Sequence, residues 1–153
     1  MFPATIDRVP LNTEASVNEH IRYQMRQRVR ALAASGNAAI GRRLRDLNHE
    51  WDIERYLETM APSFTLLGLT LGLTRHRGWL LLPLVVQTFF LQHALQGWCP
   101  PLPVLRRLGV RTCGEIEEER IALKALRGDF HDVGQSPLRS SDEVLSALEA
   151  ARR

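Results

Sequence analysis

The chain has 153 residues, with 20 lysine and arginine side chains against 17 acidic ones, a net charge of +3 and two cysteines. That length holds one domain, or one membrane unit with appendages. The surplus is almost all arginine, with Lys124 the only lysine; it is too slight for a nucleic-acid surface, and no basic run interleaves with aromatics. Two thiols make no disulfide framework, and Met1–Asn12 lacks the apolar core of a signal peptide.

Residues 1–15 read as a flexible tail. Ser16-Val17-Asn18-Glu19 has the form of a capping box, and Val17, Ile21, Met25, Val29 and Leu32 then recur at helical spacing. The arginines at 22, 26, 28 and 30 are either a solvated face or one drawn to anionic headgroups. Ser35-Gly36-Asn37 is a helix stop. Ile40, Leu44, Leu47 and Trp51 line one side of a second helix running on toward Glu58. Residues 16–58 thus form a region of two amphipathic helices, paired with each other or with another chain. Pro62 marks where a helix is expected to start afresh.

Residues 59–99 carry two apolar segments, 60–74 and 79–98, joined by the basic bend Arg75-His76-Arg77-Gly78. The second matches the ~20 residues a bilayer span needs, and the first is short for one. Trp79 and Trp98 bracket the second, as interfacial aromatics do. On the first, Ala61, Thr65, Gly68 and Gly72 share one face. Small residues on one face let two membrane helices approach closely, whereas in water each helical glycine only costs stability. On the second, Thr88, Gln92, Gln96 and Cys99 fall within one arc, a polar stripe expected to face protein. His93 lies away from it.

Pro100, Pro101 and Pro103 end the second segment, opening a post-membrane stretch at 100–128. Thr112-Cys113-Gly114-Glu115 is a second capping-box match, expected to open a helix over 113–127, with a solvated Glu115–Glu119 run in its first turns. Residues 129–153 read as linker and a short C-terminal helix capped at Ser140. Arginines flank the hairpin at 42, 43, 45, 55, 106, 107 and 111 but only at 75 and 77 in the bend, so the positive-inside rule puts both termini in the cytoplasm.

Chemistry is sparse. The histidines at 20, 49, 76, 93 and 131 are scattered, neither cysteine has metal-ligand spacing, and no phosphate loop or nucleophile–base arrangement stands out. No catalytic, metal or cofactor residue is assigned, and no cofactor is expected. Cys99 is the candidate reactive thiol, although it ends a helix whose C-terminal partial charge disfavours a thiolate; Cys113, at a helix N-terminus, is electrostatically better placed.

The stretch from about Arg55 to Thr112 resembles the YgaP-like transmembrane-domain family. The resemblance rests on the two short apolar segments, the basic turn, and Gln96-Gly97-Trp98-Cys99-Pro100 followed by Val104-Leu105-Arg106-Arg107-Leu108-Gly109-Val110. It implies a bacterial inner-membrane hairpin, commonly dimeric and often associated with sulfur-transferring rhodanese domains. The doubled proline, the long N-terminal helical region and the C-terminal helix depart from that pattern, and no rhodanese domain is present.

The expectation is an all-α chain: a two-helix transmembrane hairpin flanked by amphipathic cytoplasmic helices, in the bacterial inner membrane. It is a non-enzymatic anchor or interaction module, self-associating through Ala61, Thr65, Gly68 and Gly72. Its partners are the lipid bilayer, a second copy and a cytoplasmic protein such as a sulfurtransferase, without nucleic acid. The alternatives are a membrane-tethered sulfur or thiol carrier using Cys99, and a soluble all-α scaffold with a buried hairpin.

Overall fold

The computed structural model describes residues 3–131, 133 and 141–152, and these are all-helical, with no strand among them. The order is α1 (Arg8–Leu11), α2 (Ala15–Ser35), α3 (Asn37–Leu47), α4 (Ile53–Thr74), a 3-10 turn (Arg77–Leu80), α5 (Leu81–Gln96), α6 (Leu102–Arg107), α7 (Cys113–Arg127) and α8 (Ser141–Arg152). The chain divides into two units, Met1–Gln24 with Trp51–Ile116, and Met25–Glu50 with Glu117–Arg153.

The first unit is built on a hairpin of α4 and α5. The helices run antiparallel: Gly72 meets Leu80, Gly68 meets Pro83, Thr65 accepts a hydrogen bond from Gln87, and Glu54 reaches His93. A Cβ on Gly68 would sit 2.4 Å from Pro83 Cδ, and one on Gly72 2.5 Å from Leu80 Cδ2. At Gly68 the rigid proline ring cannot turn aside, so only glycine permits the approach, whereas the Leu80 side chain over Gly72 can rotate. The small-residue face expected to hold a second copy therefore holds α5 of the same chain, with Ala61, Gly68 and Gly72 buried. Beneath the hairpin Val9, Ile53, Leu57, Cys99 and Leu102 form a core, with Phe90, Trp98, Leu105 and Val110 packed on it.

Several boundaries differ from expectation. Pro62 does not start a helix; it lies within α4, on its exposed side. The start is at Asp52, whose side chain accepts from the Arg55 N–H at 2.8 Å, and the buried stripe Ile53, Leu57, Ala61, Gly68 and Gly72 runs unbroken past the proline. Asp52→Ala should cost about 1 kcal/mol, read as a shift in the unfolding midpoint. Trp51 lies between α3 and α4, with the Arg55 guanidinium 4.6 Å from its ring centroid. Ser16 sits inside α2 and donates to Glu14 instead of capping. The Thr112–Glu115 box does form: Thr112 N–H donates to Glu115 Oε2, and Glu115 N–H donates to Thr112 Oγ1. The N-terminal residues, expected as a loose tail, supply α1, and Val9 enters the core.

In the second unit the apolar stripe of α3 (Ile40, Leu44, Leu47) is buried, as are Met25 of α2 and Leu123 of α7. Glu119 is 0% exposed rather than solvated, held by Arg43 Nε at 2.8 Å and Arg28 Nη2 at 3.3 Å. Glu115, in the first unit, is also withdrawn from water. The two lie four residues apart on α7. Most of the linker expected over residues 129–140, and its cap Ser140, lie outside the described residues.

Candidate functional site

The last carbonyls of any α-helix lack intrahelical donors. At the end of α5, α1 supplies them. Arg8 Nη1 donates to Ala94 O at 2.7 Å, and Asn12 Nδ2 donates to Gln96 O at 2.8 Å. Gly97 ends α5 with φ 79°, and the Arg8 backbone packs directly on it.

From this junction a polar chain runs into the core. Arg8 Nη2 donates to Glu54 Oε1 at 2.7 Å. Glu54 Oε2 lies 3.1 Å from His93 Nε2, and His93 Nδ1 lies 3.6 Å from Cys99 Sγ. His93 and Cys99 are 1% and 2% exposed. Burial alone would raise the Glu54 carboxyl, but hydrogen bonds from His93 and Arg8 outweigh it and hold the group below its ordinary value. Glu54 is therefore an anionic acceptor at neutral pH. In the tautomer with its proton on Nε2, His93 donates to Glu54 and turns the Nδ1 lone pair toward the Cys99 S–H.

Burial pushes the Cys99 thiol up to about 11; the Leu102 N–H acts downward and the Glu54 charge upward. Cys99 is thus a protonated thiol aimed at a base, not a standing thiolate. Cys99 is among the residues lining an apolar groove of about 400 Å³ between α4 and α5. Leu57, Ala61, Phe64, Val86, Phe90 and Pro100 are among its walls.

The expected polar stripe is not gathered into a site. Thr88 is exposed and returns its hydroxyl to Leu84 O, Gln96 is exposed, and Gln92 is half-buried. The residue that meets Cys99 is His93, which sequence reading takes as a hydrogen-bonded packing residue more often than a proton-handling group, and behind it stands Glu54, to which sequence reading assigns no role. One signal was available. Glu54 shares the helical face of Leu57 and Ala61, and a carboxylate on a buried face requires a partner. Cys113 is exposed. No metal-ligating cluster is found among the described residues.

A second polar cluster braces the region after the hairpin. Arg106, 1% exposed, holds both Glu115 oxygens at 2.7 Å, and donates to Asn18 Oδ1, Thr13 Oγ1 and Val110 O. Every direction of its fork is occupied, so it reads as a brace and not as a ligand site.

No family model, curated protein or solved structure matches this chain.

Proposed function

We propose that this chain is an integral membrane protein whose α4–α5 hairpin inserts in a bilayer, with both termini on the cytoplasmic side, and that it serves as an anchor or interaction module. The observation that carries the reading is the outward surface of the hairpin. Leu66, Leu67, Leu73, Leu81, Leu84 and Leu91 are between 49% and 81% exposed. Soluble proteins rarely leave a contiguous apolar patch above a few hundred Å², and the core helix of a soluble protein would bury these leucines. In lipid they need no cover.

Length supports the same reading. Arg77–Gln96 is a 20-residue helical stretch apolar enough to cross a membrane, and little of it is buried. The uncharged part of α4 runs from Thr59 to Thr74, about 24 Å at 1.5 Å per residue. The shortfall against a ~30 Å core is of the size that local thinning and side-chain snorkelling absorb. Arg75 and Arg77 then sit at the far interface, and the larger arginine group stays with the termini.

Self-association, if it follows, has to use another face than the glycines, which are filled by α5. The Thr88–Gln92–Gln96 stripe is the alternative, because Thr88 and Gln96 are exposed and Gln92 half-buried on α5. An amide facing lipid gains from a partner amide.

The test is fractionation combined with thiol accessibility. The protein is expected in the pellet after membranes are washed with alkaline carbonate. In intact bacterial cells a membrane-impermeant maleimide should leave the exposed Cys113 unlabelled until the membrane is opened, while a cysteine placed at His76 is labelled from outside. Recovery in the supernatant refutes insertion; labelling of Cys113 in intact cells refutes the orientation.

A further inference from the structure

We propose that Cys99 is a site of S-acylation: with His93 as its base and Glu54 positioning that base, it accepts a long-chain fatty acyl group from an acyl thioester, and the apolar groove between α4 and α5 holds the chain.

Three features converge. The first is the hydrogen-bonded order Glu54, His93, Cys99, with Oε2 3.1 Å from Nε2 and Nδ1 3.6 Å from Sγ. A nucleophile, a base within reach and a third group orienting the base make up the arrangement that activates thiols in covalent catalysis. The second is that Cys99 is itself one of the residues lining the groove. The third is the character of that cavity. Its volume of about 400 Å³ falls within the range of small-molecule sites, and Leu57, Phe64, Val86 and Phe90 give it apolar walls. A substrate that fills an apolar slot and ends in an electrophile at the thiol is an acyl chain with its carbonyl at Sγ.

The step balances without an oxidant or reductant. Sulfur attacks the thioester carbonyl carbon and forms a new C–S bond as the S–H proton passes to His93 Nδ1. The tetrahedral intermediate collapses, the donor's C–S bond breaks, and the proton leaves on the departing thiolate. The anionic Glu54 stabilises the imidazolium formed on the way. A thiol held at about 11 stays protonated until substrate and base act together, which keeps it from adventitious oxidation.

The inference rests on the membrane reading only for how the donor reaches the groove, so the chemistry is tested in detergent. The full chain in dodecylmaltoside micelles is incubated with ω-alkynyl palmitoyl-coenzyme A, and labelled peptides are located by mass spectrometry. Hydroxylamine-sensitive label is expected on Cys99 at least ~10-fold faster than on Cys113, despite the greater exposure of Cys113. His93→Gln should slow Cys99 by about 100-fold. Glu54→Gln should slow it, because the imidazole loses the carboxylate that orients it; Glu54→Asp should restore part of the rate. The proposal fails if wild-type Cys113 labels as fast as Cys99, if no label survives denaturation, or if helical His93→Gln protein labels at the wild-type rate. The first two need no variant to fold, and neither depends on where the protein fractionates.

Discussion

Gly97→Ala should destabilise the first unit by about 3 kcal/mol, summing the left-handed backbone penalty and the cost of overpacking. The position has φ 79°, which disfavours any residue with a Cβ. The Cβ would also lie 2.3 Å from the Arg8 carbonyl oxygen and 2.4 Å from its carbon. Those are backbone atoms, so no rotamer change relieves the contact. Relief requires α1 to move off the end of α5, and with it go the Arg8 bonds to Ala94 O and Glu54. The expected result is an earlier midpoint in denaturant titration and faster reaction of Cys99 with a small thiol reagent. Gly36→Ala is the control. Its φ is also positive, at 81°, but nothing lies within 4 Å of the added Cβ. It should show only the backbone part, about 1 kcal/mol. Equal effects at the two positions would refute the close packing of α1 on α5.

Arg106→Ala should cost about 3–5 kcal/mol, since it leaves a withdrawn carboxylate without its partner. Arg106→Lys keeps the charge but loses the two-pronged grip on Glu115, and is expected to fall between. The pH dependence gives a second readout. In the native protein burial opposes ionisation of Glu115, yet hydrogen bonds from Arg106 and Thr112 prevail and hold its carboxyl below the ordinary 4.5. A lowered folded-state value means the stabilisation is complete above 4.5 and is lost as pH falls through the lower value. Without Arg106 the burial effect is left without its main opponent, the folded-state value rises, and the sign inverts. The alanine variant should therefore gain stability on mild acidification toward 4.5, where the native protein does not. Denaturant midpoints measured from pH 7 to 4 check this. A variant that loses stability in parallel with the native protein would overturn the assignment.

The helical class and most helix positions were legible because they follow from local rules. The stripe of α3 is read from spacing alone, and Ile40, Leu44 and Leu47 are indeed buried. The stop at Gly36 and the Thr112–Glu115 cap are likewise properties of a few adjacent residues. The misreadings share one cause. Pro62 looked like a boundary because a proline in isolation breaks a helix, yet the stripe that α4 buries against α5 carries the helix through it. α5 is apolar on all sides, so its sequence does not mark which face meets protein; the Thr88–Gln92–Gln96 arc was the only visible asymmetry, and it points elsewhere. The Glu115–Glu119 run looked solvated because charge alone does not show that Glu115 meets Arg106 and that Glu119 meets Arg43 and Arg28.

By itself the sequence determined the apolar hairpin, its glycine face and its cysteine at the base, since these depend on composition and on periods of three and four residues. Only the tertiary structure decided what those features meet. The glycines meet α5 because antiparallel reversal at Arg75–Gly78 brings Gly68 to Pro83 and Gly72 to Leu80. Cys99 ends a chain through His93 and Glu54 to Arg8, contributed from positions 6, 45 and 91 residues away in sequence. Helical periodicity correlates residues within a turn or two. A buried carboxylate that draws an arginine from the N-terminus and a histidine from another helix is set by desolvation, which acts only once the chain has closed on itself.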